Sequence, residues 1–101
     1  MSTDIDVKID EKIKRKITIP PKYKVIFLND NYTPMEWVVS LLTTIFKHSQ
    51  ESAEQLTMTV HTEGSAVVGI YNFEIAEQKS VESLNLSREH GFPLQIKLEQ
   101  E

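Results

Sequence analysis

The feature that most constrains this chain is the passage from Leu28 to Val39, where an apolar run gives way to polar residues and a helix begins at once. Asn29 and Asp30 place an amide and a carboxylate at a strand end. Thr33-Pro34-Met35-Glu36 reads as a capping box with proline at the first helical position, which makes the turn rigid. It holds two acceptors beside Met35 and Val38, about one helical turn apart. Acceptors next to an apolar slot suit a cation joined to an apolar group, although the same residues also make an ordinary strand-to-helix connection.

The flanking segments give the turn its setting. Lys22 to Leu28 contains Tyr23, Val25, Ile26, Phe27 and Leu28, too apolar a run for a half-exposed edge, and predicts a central strand covered on at least one face. Met35, Val38, Val39, Leu42, Ile45 and Phe46 repeat as one stripe of an amphipathic helix, with Trp37 off the stripe as a surface cover. Ser49 caps a second helix with Glu51 and Glu54 in its first turns, and Gly64 ends it. Its apolar register is Ala53, Leu56 and Val60, with Thr57 where a further apolar residue is expected. His61 shares the side of the last turn with Thr57 and Val60. Ala66 to Tyr71 predicts a second strand. Asn72 caps a third helix with Glu74 and Glu77 near its start and a small-residue face of Ile75, Ala76, Ser80, Ser83, Leu84 and Ser87. Gly91 and Pro93 stop that helix, and Leu94, Ile96 and Leu98 alternate with Gln95 and Lys97 as a third strand.

Short connections make successive elements antiparallel, so both later strands run against the first. The expected fold is α+β, ordered strand-helix-helix-strand-helix-strand, with a three-stranded antiparallel sheet in the order 2-1-3 and three helices on one face. One end of this sandwich then collects Asn29, Asp30, Met35, Val38, Thr57, Val60, His61 and Leu94. Glu74 and Lys79 lie toward the other end.

With 101 residues the chain fits one domain, and its net charge of −4 argues against a binder of nucleic-acid phosphates. The absence of cysteine excludes disulfides and thiolate metal sites, and three scattered glycines exclude a phosphate-cradling loop. No stretch approaches a membrane span and no apolar secretory core is present, so the expected location is cytoplasmic. Residues 1–20 carry Asp4, Asp6, Asp10 and Glu11 followed by Lys12, Lys14, Arg15 and Lys16, and are expected to be a flexible extension before a domain spanning 21–101. His48, His61 and His90 lack metal-ligand spacing, and neither HExxH nor a glycine-framed serine occurs. No cofactor or catalysis is expected.

From about Pro21 to Leu98 the chain resembles the ClpS family, adaptors that deliver proteins with destabilising N-terminal residues to the Clp protease. The resemblance is carried by Tyr23-Lys24-Val25, Asn29-Asp30-x-Tyr32-Thr33-Pro34-Met35-Glu36, Val60-His61-x-x-Gly64, Glu74-x-x-Glu77-x-Lys79 and Pro93-Leu94, in that order. It implies a ligand site of Asn29, Asp30, Asn31, Thr33, Met35, Val38, Thr57, Val60, His61 and Leu94, which grips a peptide's free N-terminus and buries its first side chain. It further implies that Glu74 and Lys79 touch the N-terminal domain of a Clp ATPase of the ClpA or ClpC type and that the extension assists hand-over; a monomer is the expected state. At two positions the chain departs from the family pattern. Asn31 stands where many relatives have an acid, and Thr57 where they tend to have methionine, so the slot is expected to be wider and wetter.

The residues support that chemistry directly. A free α-amino group has a pKa of about 7.7 to 8.0 and presents three donors at neutral pH. Asn29, Asp30 and a neutral His61 offer three acceptors. Burying a leucine or phenylalanine side chain between Met35, Val38, Thr57, Val60 and Leu94 contributes roughly 1.5 to 3 kcal/mol, too little to bind strongly without the ammonium contacts. The competing expectation is a non-catalytic interaction module like the C-terminal domain of the ribosomal stalk protein, in which Asn29, Asp30 and His61 are structural. An acid/base pair of His61 with Asp30 is the enzymatic alternative.

Overall fold

Alternation along Lys22–Leu28, strand β1, organises the molecule: Val25 and Phe27 are fully buried on one face, while Lys24 and Ile26 turn to the other. The structure is a computed structural model and describes residues 19–101. The expected flexible extension therefore lies, over residues 1–18, outside the described residues. After β1 come helices α1 (Met35–Thr44) and α2 (Gln50–Glu63), strand β2 (Ser65–Asn72), helix α3 (Phe73–Glu89) and strand β3 (Gln95–Gln100). The sheet order is β2-β1-β3 with both pairings antiparallel, as expected.

Each helix has a physical reason for its limits. Ser49 accepts from Ser52 N–H and starts α2, and Gly64 ends it at φ 93°, the left-handed region that favours glycine. Asn72 accepts from Ile75 N–H and turns the chain from β2 directly into α3. That helix presses a face of small residues on the sheet, with Ala76, Ser83 and Ser87 buried and Ile75 exposed, contrary to its expected place on that face. Helix α1 stops two residues sooner than its apolar stripe. Ile45 and Phe46 stay buried because the chain curls back, with Phe46 N–H donating to Leu41 carbonyl and Lys47 at φ 61°. Leu41, outside the expected stripe, is buried as well.

One irregularity in the sheet explains a histidine. The pairing of β1 with β2 slips between Val25 and Ile26, whose partners are Gly69 and Val67, so Val68 is an extra residue in a bulge. The Val68 carbonyl lies 2.6 Å from His48 Nε2, which must be the donor because a carbonyl can only accept. His48 therefore compensates the bulge.

Candidate functional site

At the upper end of β1 two local hydrogen-bonding systems build a narrow cavity. Asn29 N–H donates to the Gly64 carbonyl at 2.9 Å, tying the strand end to the end of α2. His61 is three residues before that anchor, so the tie brings the Asn29 and His61 side chains to the same rim. The second system belongs to Asp30. One carboxylate oxygen accepts from Tyr32 N–H and Thr33 N–H, both at 2.7 Å, and the other from the Thr33 hydroxyl at 2.8 Å. This corrects the capping box. Thr33 gives its hydroxyl to Asp30, and Pro34 occupies the cap position of α1 with no side-chain hydrogen bond. The Asp30 carboxylate is a strong acceptor, and the bond it takes from the Thr33 hydroxyl is charge-assisted.

Partial burial pushes the Asp30 carboxyl up, but the hydrogen bonds from Thr33 and Tyr32 and the nearby Arg88 guanidinium outweigh it, leaving the group below the usual carboxylate range. Asp30 is thus ionised at neutral pH. The negative end of the α2 dipole adds potential of the same sign beside it.

Nine of the ten residues expected in the site line this single cavity: Asn29, Asp30, Thr33, Met35, Val38, Thr57, Val60, His61 and Leu94. Asn31 does not. It is exposed and outside the lining, because the turn held by Asp30 carries residues 31 and 32 outward. Leu28 was missed and also lines the cavity; its only signal was its place as the last apolar residue before Asn29. Val38, Thr57, Val60 and Leu94 are buried, whereas Met35 is 40% exposed and His61 stands at the surface.

The cavity volume is about 20 Å³, and roughly 10–15 Å³ is needed to hold one water molecule. In this conformation the slot has room for about one water molecule. The Thr57 hydroxyl donates to the Ala53 carbonyl at 2.7 Å, so its polar group is satisfied within α2.

The residues expected at the partner surface are at the opposite end of β1. Glu74 is exposed in the first turn of α3. Lys79 is half-buried, donates from Nζ to the Ile45 carbonyl at 2.7 Å, and stands 5.8 and 5.5 Å from the Phe46 and Tyr71 ring centroids. Trp37 covers the surface as expected and donates from Nε1 to the Ser87 hydroxyl at 2.8 Å. No helix among the described residues is long and apolar enough to cross a membrane.

A small α+β domain that gathers charged and neutral acceptors over one short apolar slot has the form of a binding module. Comparison with known proteins narrows this class. Residues 18–97 match the family model described as ATP-dependent Clp protease adaptor protein ClpS. Adapter proteins of that name from Leptospira biflexa and Treponema denticola are 44% identical over 101 residues and 47% identical over 87 residues. The matches cover 98% and 86% of this chain, and 89% and 86% of those relatives. A solved structure of Agrobacterium tumefaciens ClpS2 bound to L-phenylalaninamide superposes with a TM-score of 0.80 at 43% identity, covering 82% of this chain and 100% of that one. The chain belongs to the ClpS family of Clp protease adaptors.

Proposed function

We propose that this protein grips the free N-terminus of proteins that begin with a bulky hydrophobic residue, Leu, Phe, Tyr or Trp, and delivers them unaltered to a Clp ATPase-protease. The observation that carries this is the single cavity in which Asn29, Asp30 and His61 stand over Met35, Val38, Thr57, Val60 and Leu94. The relative's ligand, L-phenylalaninamide, has the same two parts, an α-amino group and a bulky apolar side chain. Asn29 and His61 accept two of the ammonium's donors, and Asp30 supplies the negative charge.

Entry of the side chain displaces Met35. It is the most exposed apolar group on the rim, and its unbranched thioether adapts to aliphatic or aromatic shapes. A β-branched first residue brings a second substituent against the buried Val38 and Val60 and is rejected. At the other end, Glu74 and Lys79 face the N-terminal domain of the ATPase. Because the two ends are separated by the length of β1, cargo and ATPase bind a monomeric adaptor together. No chemical step is required of the chain, which works in the cytoplasm.

The reading is tested with a Leu-initiated reporter, a Clp ATPase-protease and this adaptor. Degradation is expected only with all three present, and Glu74→Lys is expected to abolish delivery while leaving peptide binding unchanged. Equal degradation without the adaptor overturns delivery as its function.

A further inference from the structure

We propose that the acidic, partly apolar groove along the outer side of α3 is a docking site for the chain's own basic segment, residues 12–18. This inference stands apart from the peptide-binding reading and is made on a different surface. The groove has a volume of about 850 Å³ and runs from Glu74 to Glu89. Ile75 and Val81 are 38% and 49% exposed within it, and Glu74, Glu77, Glu82 and Glu89 supply its charge. Within the described residues none of these four carboxylates forms an ion pair; the two ion pairs both involve Glu99. The basic residues of the same helix are turned elsewhere, Lys79 to the Ile45 carbonyl and Arg88 to that of Phe92.

The occupant is identified by charge, composition and tether. Lys12-Ile13-Lys14-Arg15-Lys16-Ile17 carries four cations and two isoleucines, and in extended form Lys12, Lys14 and Lys16 share one face, set against the carboxylates of Glu74, Glu77 and Glu82. The segment also starts beside the groove. Lys22 pairs across the sheet with Asn72, the residue that caps α3, and the Tyr23 and Phe73 rings meet edge to face at 5.1 Å. Residues 19–21 lead from that point. An extended chain covers about 13 Å from Lys16 to Lys12, and α3 rises about 12 Å from Glu74 to Glu82. Lys16 thus reaches Glu74 and Glu77 when Lys12 reaches Glu82. The segment and any partner surface bearing on Glu74 exclude one another.

The test uses the full chain with Asp10→Cys carrying a nitroxide, the only thiol in a cysteine-free sequence. At about 0.01 M salt, where charges act over ~30 Å, the amides of Glu82, Asn85 and Glu89 are expected to lose most of their NMR intensity while those of Gln95 to Gln100 keep it. The loss is expected to disappear at about 1 M salt, where the screening length falls to ~3 Å. It is also expected to disappear with Lys14→Glu and Arg15→Glu, which leave the helix untouched. Broadening no greater on α3 than on β3 overturns the proposal. So does broadening seen when the spin label is on one copy and the isotope label on another, which assigns the groove to a neighbouring molecule.

Discussion

Asp30→Asn separates the two roles that Asp30 combines. Asparagine keeps one side-chain oxygen to accept from Tyr32 and Thr33 N–H, and the Thr33 hydroxyl can rotate to accept from the new amide, so the turn survives. The three hydrogen bonds change from charge-assisted to neutral. At a partly exposed site this costs about 1 to 2 kcal/mol of stability, read from urea unfolding with an unchanged slope. Peptide binding suffers more, because the charge opposing the ammonium is gone. A loss of about 1.4 to 3 kcal/mol corresponds to roughly 10- to 150-fold weaker binding of a Leu-initiated peptide by fluorescence anisotropy.

The pH profile provides an internal check. The folded Asp30 carboxyl lies below its unfolded value, so its stabilisation is fully present above about pH 3.9, the reference carboxyl value, and is lost as pH falls through the folded one. In Asp30→Asn that part of the acid-induced loss is absent. A variant that is less stable but binds the peptide as tightly as the parent refutes the role given to the charge and leaves Asp30 a turn residue only.

Lys79→Met removes a charged hydrogen bond to Ile45 and contacts with two rings, and is expected to lower unfolding free energy by about 2 kcal/mol. Unchanged stability in chemical denaturation contradicts that structural role. Gly69→Ala places a Cβ 2.5 Å from the Tyr71 ring, which must leave its position beside Phe46, and is expected to cost about 1 to 3 kcal/mol by the same measurement. Thr57→Met fills the slot floor with a longer, adaptable side chain and is expected to reorder affinities among peptides beginning Phe, Tyr, Trp and Leu; an unchanged order shows that residue 57 does not tune the slot.

What could be seen in the sequence was whatever local pattern determines. The apolar run of β1, the caps Ser49 and Asn72, and the stop at Gly64 were legible because each rests on neighbours in the chain. Their order then fixed the sheet topology, and with it the meeting of Asn29 with His61. The hold of Asp30 on the turn was not legible. Thr33 has the spacing of a capping residue, and nothing local announces that Asp30 takes the free N–H groups and the hydroxyl together. The place of Asn31 outside the cavity lining was hidden for the same reason, since the turn that Asp30 holds carries its neighbour outward. The size of the slot was equally hidden, because it depends on how Met35, Thr57 and Leu94, from distant parts of the chain, share one space. The bond from His48 to the Val68 carbonyl was hidden as well, because the bulge that presents that carbonyl depends on strand pairing.

The central claim is that a free chain terminus is recognised together with its first side chain. Fluorescence anisotropy with one peptide beginning with Leu, measured with a free and with an acetylated N-terminus, tests it most directly. Acetylation leaves the apolar side chain intact and removes the ammonium, so binding is expected to the free form and to be lost for the acetylated one. Equal affinity for the two contradicts the account and returns Asn29, Asp30 and His61 to a structural role.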